Sequence, residues 1–572
     1  MRMRILTFLL ALALLLTLPG MGLAENDYAR RIEDYAAAHA ETTAGASVAI
    51  FDADGMLYEG YFGHADISAG LPMTADTVVE WGSVTKLLVW ISAMQQAEQG
   101  RLDLNADVRG YLPDGFLRNL RYDEPLTMLH LMNHQPGFEE TYMGLWSPRA
   151  EEIVSLEDIL RRHQPRQVYR PGTVTAYSNW GVALAGYIVE RVSGQSFADY
   201  VHAHIFAPLG MTRSALRPDL SDNAYVQAMR PSLQCYTTDC TPIAGAFQHI
   251  IMYPAGMCTS TLQDFARFGS ALLRRDEALL RPETWAELFT PTSTYGGESN
   301  APLNAHGFWF HEFGVTMLGH GGNTKGCSSQ LLFSPESGVG MAVMTNQSDE
   351  FIYNGDLYAH LFGEYAGQPT DFRGWTVSAR TVLTGPLRIA KLMALIPLTD
   401  GIVEAYFTGS RAELNDAGGV RRVTMTYGDL LVTPFWQLLP DLLLTGLWIL
   451  CHAAWLTGLI LLCIPRIRRS LSRALRRWSL AVCTVSFVPL AGIIPIAASL
   501  LSLNFLPPWC YQLISGIILA AAAVTAVLFI CGLTVVRPET RRQRICHRLL
   551  LLSLIVSFVN VSFWQLGAFW LI

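Results

Sequence analysis

Lysine is nearly missing from this chain. Of its 41 basic residues only Lys86, Lys325 and Lys391 are lysines, and arginine fills every other basic position. Arginine keeps its proton near neutral pH, whereas a lysine withdrawn from water can give one up and act as a base. Where this chain does spend a lysine is therefore informative. Other absences narrow the chemistry further. No spacing of His, Cys, Asp or Glu matches a zinc or calcium site, and there is no glycine-rich phosphate loop. No cofactor is expected. Nor does the first part of the chain carry excess basic charge. Residues 441–572 hold eleven arginines against Asp441 and Glu539, a net +9, so the total of −7 leaves −16 for residues 1–440. That acidic balance argues against nucleic acid or another polyanion as partner.

Lys86 closes the tetrapeptide Ser83-Val84-Thr85-Lys86. If this stretch opens a helix, positions i and i+3 share a face and the lysine Nζ reaches the serine Oγ. A serine can be activated in this way without a histidine. Alone, a Ser-x-x-Lys is an ordinary pattern for a solvated helix face. Two later segments change its weight: Tyr177-Ser178-Asn179 in a turn-rich run, and Gly319-His320-Gly321-Gly322-Asn323 ahead of a strand-like stretch over 328–333. Acyl transfer needs a nucleophile, a base, an acid for the leaving group and an oxyanion hole. The three segments supply all of these in a workable order.

Further motifs recur in the same order. They are Leu131-Met132-Asn133-His134-Gln135-Pro136-Gly137, Pro171-Gly172, Gly194-Gln195-Ser196-Phe197, Pro208-Leu209-Gly210-Met211, and 255–261 with Asp264 and Phe268. Over residues 28–365 the chain resembles the serine β-lactamases and penicillin-recognising DD-peptidases. The resemblance is to the class-C-like branch, which also holds esterases and D-amino-acid peptidases. It implies that Ser83 is the acylated nucleophile and that Lys86 takes its proton or holds a charge relationship with Tyr177. Tyr177 would serve as general base and acid, and Asn179 would bond substrate and Lys86. The backbone N–H groups of Ser83 and Asn323 would form the oxyanion hole, and His320, Gly321 and Gly322 would flank the acyl group. One departure stands out. Antibiotic-hydrolysing and transpeptidase members carry Lys-Thr-Gly where this chain has His320-Gly321-Gly322. A histidine, mostly neutral at pH 7, holds a substrate carboxylate less strongly. The expectation moves from a dedicated β-lactamase toward an esterase or peptidase. Lys325 reads as a solvated rim residue and His134 as a packed residue at a helix end. Cys258 and Cys327 read as small buried apolar groups.

The two ends of the chain speak to location. Arg2 and Arg4 precede an apolar run over 5–18, and Gly22-Leu23-Ala24 fits a small-x-small cleavage site, so residues 1–24 read as a signal peptide or, failing cleavage, an anchor. Apolar spans at 442–464, 480–503, 512–536 and 549–571 are each long enough to cross a hydrocarbon core of about 30 Å. The loops after the first and third spans carry all eleven arginines, which places both in the cytoplasm and the catalytic region outside. His452 reads as packed between helices, and the spans as an anchor ahead of a signalling or transport device. Cys235 and Cys240 bracket four residues, and both a small disulfide and two free thiols fit.

The expected organisation is a signal peptide (1–24), a serine hydrolase domain (25–365), a connector (366–440) and a four-helix transmembrane domain (441–572). The hydrolase is expected to be an α/β fold, a β-lactamase-like sandwich of an antiparallel sheet with helices on its faces plus a helical lobe. Strands are expected near 46–51, 60–63, 307–310, 315–318, 329–333 and 339–344, and helices over 87–100 and 182–192. In the connector, 387–396 suggests an amphipathic helix and 420–434 one or two strands, with no chemistry. The expected function is a membrane-anchored, extracytoplasmic serine hydrolase acting through a Ser83 acyl-enzyme on D-amino-acid peptides, small esters or amides. A small-molecule or cell-wall peptide substrate is its expected partner. The alternatives are a true β-lactamase and a non-catalytic ectodomain that senses wall fragments or β-lactams.

Overall fold

A computed structural model describes residues 21–141, 144–296, 300–366, 374–381, 395–398, 411–416, 419–501 and 508–567. The chain forms two compact units: one comprises 1–372 and 400–429, the other 373–399 and 430–572. Residues 1–20 of the expected signal peptide and most of the expected helix at 387–396 lie outside the described residues. The end of that second stretch is a strand, Leu395–Leu398, and not helix.

The first unit is built on a sheet of nine strands. They are Gly45–Phe51 (β1), Met56–Asp66 (β2), Leu71–Pro72 (β3), Ser293–Thr294 (β4), Pro302–Ala305 (β5), Phe308–Glu312 (β6), Thr316–Asn323 (β7), Ser328–Ser334 (β8) and Val339–Thr345 (β9). Their spatial order is β3-β2-β1-β9-β8-β7-β6-β5-β4, antiparallel throughout. β1 is apolar along its length because both faces of the sheet are covered and alternate side chains serve different cores. Ala49 and Phe51 join the larger core with Trp81, Phe265 and Phe268. Val48 and Ile50 join a second core with Ile32 of the helix Met21–Ala38 (α1) and with Leu357 and Leu361.

The helical lobe centres on Lys86–Glu98 (α2), whose residues are buried from Lys86 to Gln96. A helix apolar on every side is an interior helix, and this one is the axle of the lobe. Asn179–Ser193 (α3) packs against it. α3 starts where the Ser178 hydroxyl accepts from Gly181 N at 3.0 Å, and it stops at Gly194, which takes a left-handed φ of 73°. Leu262–Arg274 (α4) lies on β1 and β9 and shares the larger core with α2. The architecture is the expected α/β sandwich with a helical lobe, and the described strands extend the expected ones by a few residues.

Among its described residues the second unit holds four helical segments long and apolar enough to cross a membrane: Phe435–Cys463, Arg473–Ala498, Trp509–Thr534 and Arg541–Phe563. The first begins before the expected residue 442, with Phe435 and Trp436 exposed at its end as interfacial aromatics would be. The second is broken into Arg473–Val485 and Val488–Leu501. His452 packs among the rings of Trp448, Trp455 and Phe487, as a histidine between helices should.

All ten cysteines are free thiols. Cys235 and Cys240 are not bridged to each other, and the Cys235 Sγ lies instead 3.8 Å from the Sγ of Cys327.

Candidate active site

Ser83 sits in a single 3₁₀ turn, Gly82–Thr85, that runs straight into α2 at Lys86. In a 3₁₀ turn the side chains at i and i+3 eclipse, so Lys86 stands directly over Ser83. The Lys86 Nζ lies 2.9 Å from Ser83 Oγ, 2.8 Å from Asn179 Oδ1 and 2.6 Å from the Ala255 carbonyl oxygen. The lysine is wholly buried. The turn is braced from beneath. Strand Val78–Glu80 pairs with Thr259–Thr261, Trp81 N donates to Cys258 O at 2.7 Å, and Cys258 N donates to the Thr85 hydroxyl at 3.1 Å. Ala255 thus reaches Lys86 because the segment that follows it is stitched to the nucleophile turn.

Asn179 is the first residue of α3. Its amide is oriented from both ends: Oδ1 accepts from Lys86, and Nδ2 donates to Glu140 Oε2 at 3.3 Å. Glu140 is 2 % exposed. Two residues earlier, the Tyr177 ring lies beneath the lysine ammonium, 4.9 Å from Nζ to the ring centroid. His134 stacks on the other side of the tyrosine at 4.2 Å and on Trp309 at 5.7 Å, and its Nδ1 accepts from Ser178 N at 3.1 Å. His134 is therefore a packed, hydrogen-bonded residue at a helix end, as its position implied. It fixes the plane of Tyr177.

β7 carries the third segment against the nucleophile. Gly82 and Gly322 make that approach possible. Gly82 has φ +50°, and a Cβ there would stand 2.7 Å from Asn323 N. A Cβ on Gly322 would stand 2.0 Å from the Trp81 carbonyl oxygen and 2.8 Å from Ser83 N. The backbone amides of Ser83 and Asn323 are thus brought side by side. His320 is 1 % exposed. Burial, followed by the nearby Lys86 charge, pushes its pKa well below the ordinary value. Its Nδ1 lies 2.5 Å from Gly321 O. A carbonyl only accepts, so Nδ1 carries the proton, and Nε2 is a bare lone pair that makes no hydrogen bond among the described residues. His320 cannot hold a carboxylate as a lysine would.

A residue from the connector completes this wall. Tyr427 lies in the two-residue turn between strands Arg422–Met425 and Gly428–Val432. Gly321 N donates to its hydroxyl at 2.8 Å, and the hydroxyl lies 3.2 Å from His311 Nε2. Burial lowers the His311 pKa to about 4, so that ring is neutral. Burial raises the Tyr427 pKa well above its ordinary value, so the phenol keeps its proton. The ring is 5.1 Å from His320 and 6.0 Å, edge-on, from Tyr177.

An open cleft lies on the other flank of Ser83, lined by Leu145, Trp146, Gln248, Ile250, Asn323 and Lys325 among others. Lys325 is half-buried on the cleft wall and not a freely solvated rim residue, and burial lowers its pKa. Glu80 also lines the cleft, paired with Arg230 at 2.5 Å.

All eight residues singled out from the sequence, Ser83, Lys86, Tyr177, Asn179, His320, Gly321, Gly322 and Asn323, converge on this one place. Glu140, the Ala255 carbonyl and Tyr427 were not legible. Glu140 had one faint mark, an acidic pair set in an apolar stretch. Tyr427 had a visible turn, but nothing in the local sequence docks that turn on β7.

Penicillin-binding protein 4 of Amycolatopsis lactamdurans is 26 % identical over 343 residues, covering 56 % of this chain and 86 % of that one. Protein flp of Staphylococcus aureus (strain MRSA252) is 25 % identical over 322 residues, covering 54 % of this chain and 60 % of that one. Among solved structures, the D-amino acid amidase from Ochrobactrum anthropi SV3, complexed with L-phenylalanine amide, superposes with a TM-score of 0.49 at 22 % identity. It covers 59 % of this chain and 97 % of that one. The model of the Beta-lactamase family matches residues 29–387, well over half of the sequence and all of the segments that meet around Ser83 except the Tyr427 turn, and the chain belongs to that family.

Proposed function

We propose that this protein is a serine hydrolase that works through an acyl-enzyme on Ser83, held at the outer face of a membrane by its four apolar helices. Its substrates are D-amino-acid derivatives (peptides, small esters or amides). The observation that carries the reading is the set of acceptors around Lys86. Asn179 Oδ1 and Ala255 O can only accept, and each takes one proton of Nζ. As an ammonium, Lys86 donates a third proton to Ser83 Oγ. As an amine, it keeps both fixed bonds, and its lone pair faces the serine hydroxyl. The group can pass between these states without moving, which suits a base whose geometry is set in advance.

In the acylation step the Ser83 proton passes to the Lys86 amine, which later returns it to Tyr177 once the phenol has protonated the leaving group, while Oγ forms a bond to the substrate carbonyl carbon. The oxyanion is held by the N–H groups of Ser83 and Asn323. The bond to the leaving group then breaks, and that group departs with a proton from the Tyr177 hydroxyl. Water repeats the sequence in reverse roles, releasing the acid and restoring Ser83. The neutral wall at His320 supports esters and amides over the carboxylate-bearing lactams. The names of the relatives, which include penicillin-binding proteins, support penicillin as a pseudo-substrate.

The outward orientation of the hydrolase rests on the arginine-rich loops at 466–477 and 537–548, which favour the cytoplasmic side. Intact mass spectrometry of the detergent-solubilised full chain, incubated with an activated ester and then a penicillin, tests the chemistry. Wild type should gain one acyl mass and Ser83→Ala none. Equal turnover by both proteins, or no adduct and no turnover in either, refutes the reading and leaves a binding or sensing ectodomain.

A further inference from the structure

We infer that Tyr427 is a specificity-determining residue that closes the leaving-group end of the site, so that acyl donors with small, uncharged leaving groups such as ammonia or a short alcohol are used and those releasing a carboxylate-bearing amino acid are rejected. This rests on the hydrolase reading above and narrows its substrate class.

The argument begins with the free edge of β7. β6 pairs with β7 only as far as Trp309 opposite Gly319, while β8 covers the opposite edge out to Asn323 opposite Ser328. From His320 onward the edge of β7 that faces Ser83 has no strand beside it among the described residues. Amides two apart in a strand point the same way, so those of Gly321 and Asn323 share this edge. Asn323 N lies at the nucleophile turn. A substrate whose carbonyl oxygen is held there, and whose main chain continues along the edge, meets Gly321 N–H as its next donor. That donor is already spent on the Tyr427 hydroxyl. The hydroxyl is itself held 3.2 Å from His311 Nε2. Gly321 N–H is therefore not open to a ligand oxygen.

Tyr177 marks which half of the substrate is affected. It supplies the proton to the leaving group, and the Tyr427 and His320 rings both stand 6.0 Å from it. The open cleft beside Ser83 is lined by Trp146, Ile250 and Lys325 and not by the Tyr427 or His320 rings. The acyl portion therefore has room and a cation, while the leaving group has two aromatic walls and a bare imidazole lone pair. An N–H or O–H fits against that lone pair. A carboxylate is repelled by it.

The turn is also held where it costs conformational freedom. Tyr427 takes φ +68°, a left-handed position that bulky side chains avoid. Asp429 N donates to Thr175 O at 2.8 Å, and the Asp429 carboxylate accepts from Thr175 N at 2.8 Å, two residues ahead of Tyr177. The clamp ties the turn to the segment that presents the proposed acid. Tyr427 lies beyond the family match, which ends at residue 387.

The test uses the solubilised full chain and one D-amino-acyl group presented as its primary amide, its methyl ester and its dipeptide with C-terminal D-alanine. Wild type should favour amide over dipeptide in kcat/KM by about a hundredfold. Tyr427→Ala should shrink that ratio by about tenfold or more, and Tyr427→Phe by less, since the ring remains. A mere loosening of the fold lowers both substrates together and leaves the ratio alone. Ser83-dependent turnover that favours the dipeptide in wild type, or a ratio unmoved by Tyr427→Ala, overturns the inference and leaves the hydrolase standing. Failure of every substrate to acylate Ser83 overturns both.

Discussion

Replacing Gly322 by alanine will disable acylation far more than it destabilises the protein, and the size of the effect follows from one contact. The added Cβ would stand 2.0 Å from the Trp81 carbonyl oxygen, 2.8 Å from Ser83 N and 2.9 Å from Ser329 Oγ. None of these is the far end of a flexible chain. Trp81 O is fixed by Ser329, whose hydroxyl donates to it at 2.7 Å, and Ser83 N belongs to the nucleophile turn. Since Cβ atoms keep 3.0 Å or more from such neighbours, β7 must draw back by about 1 Å in a close-packed interior. Asn323 N–H goes with it. An oxyanion donor works at about 2.7–3.1 Å, and losing one costs roughly 10²–10³ in rate. The overpacking itself should cost only about 1–3 kcal/mol. The assay is the first-order rate of Ser83 acylation by an activated ester, read by intact mass, beside a thermal melt of the same protein. Gly110→Ala, at a glycine with nothing within 4 Å of a new Cβ, controls for the substitution. If Gly322→Ala stays folded and acylates within about threefold of wild type, the glycine contact does not set the oxyanion hole.

Lys86→Met keeps the length of the stem while removing the amine that bridges Ser83, Asn179 and Ala255. Acylation should fall by about 10²–10⁴ with the melt retained, and a folded variant that acylates at the wild-type rate would end the case for Lys86 as base. Glu80→Gln leaves the buried Arg230 charge, 6 % exposed, with a neutral partner in place of its carboxylate. Chemical denaturation should show a loss of about 3–5 kcal/mol, whereas Glu80→Met with Arg230→Met should lose much less, and equal losses would refute the unpaired-charge account. His311 is held neutral by burial, with its pKa lowered to about 4. Between its ordinary value near 6.5 and 4 the unfolded chain takes up a proton that the folded chain refuses, so stability falls with pH by about 1.4 kcal/mol per unit and levels off below 4. His311→Gln should flatten that acid limb in a pH series of melts. An unchanged slope would place the titration elsewhere.

Parts of the site that depend on short sequence separation are legible without a structure. The pairing of Ser83 with Lys86 is fixed by a spacing of three, and both a 3₁₀ turn and an α-helix bring those side chains together, so the inference survives ignorance of which one forms. The short apolar runs of β1 and β9, and the series of late strands, are likewise legible locally. The four apolar segments announce themselves by length alone, although the break between Arg473–Val485 and Val488–Leu501 does not. The free state of Cys235 and Cys240 was open in the sequence because a sulfur's partner is set by tertiary distance, and the near neighbour of Cys235 proves to be Cys327, 92 positions away.

What the sequence hides is of one kind: contacts whose partners are remote and whose local residues are ordinary. Gly321 and Tyr427 are 106 positions apart, and Thr175 and Asp429 are 254 apart. A Thr-Tyr-Gly turn between two alternating strands says only that a hairpin-like reversal occurs. Yet the combination of observations gives the turn a purpose that no one of them has. Gly321 has no side chain, and a Cβ there would stand 2.8 Å from Gln330 Oε1 and 3.4 Å from the Tyr427 hydroxyl. His320 has no charge with which to draw a carboxylate into the same space. Where a lysine and a threonine would reach outward from β7 toward a ligand, this chain has a neutral ring and an empty backbone position, filled from outside by a tyrosine. The departure in the third motif and the Tyr427 turn meet at the same place on β7. Restoring only one side should therefore fail: a lysine put at position 320 with Tyr427 still present gains a cation but no room for the group it would bind.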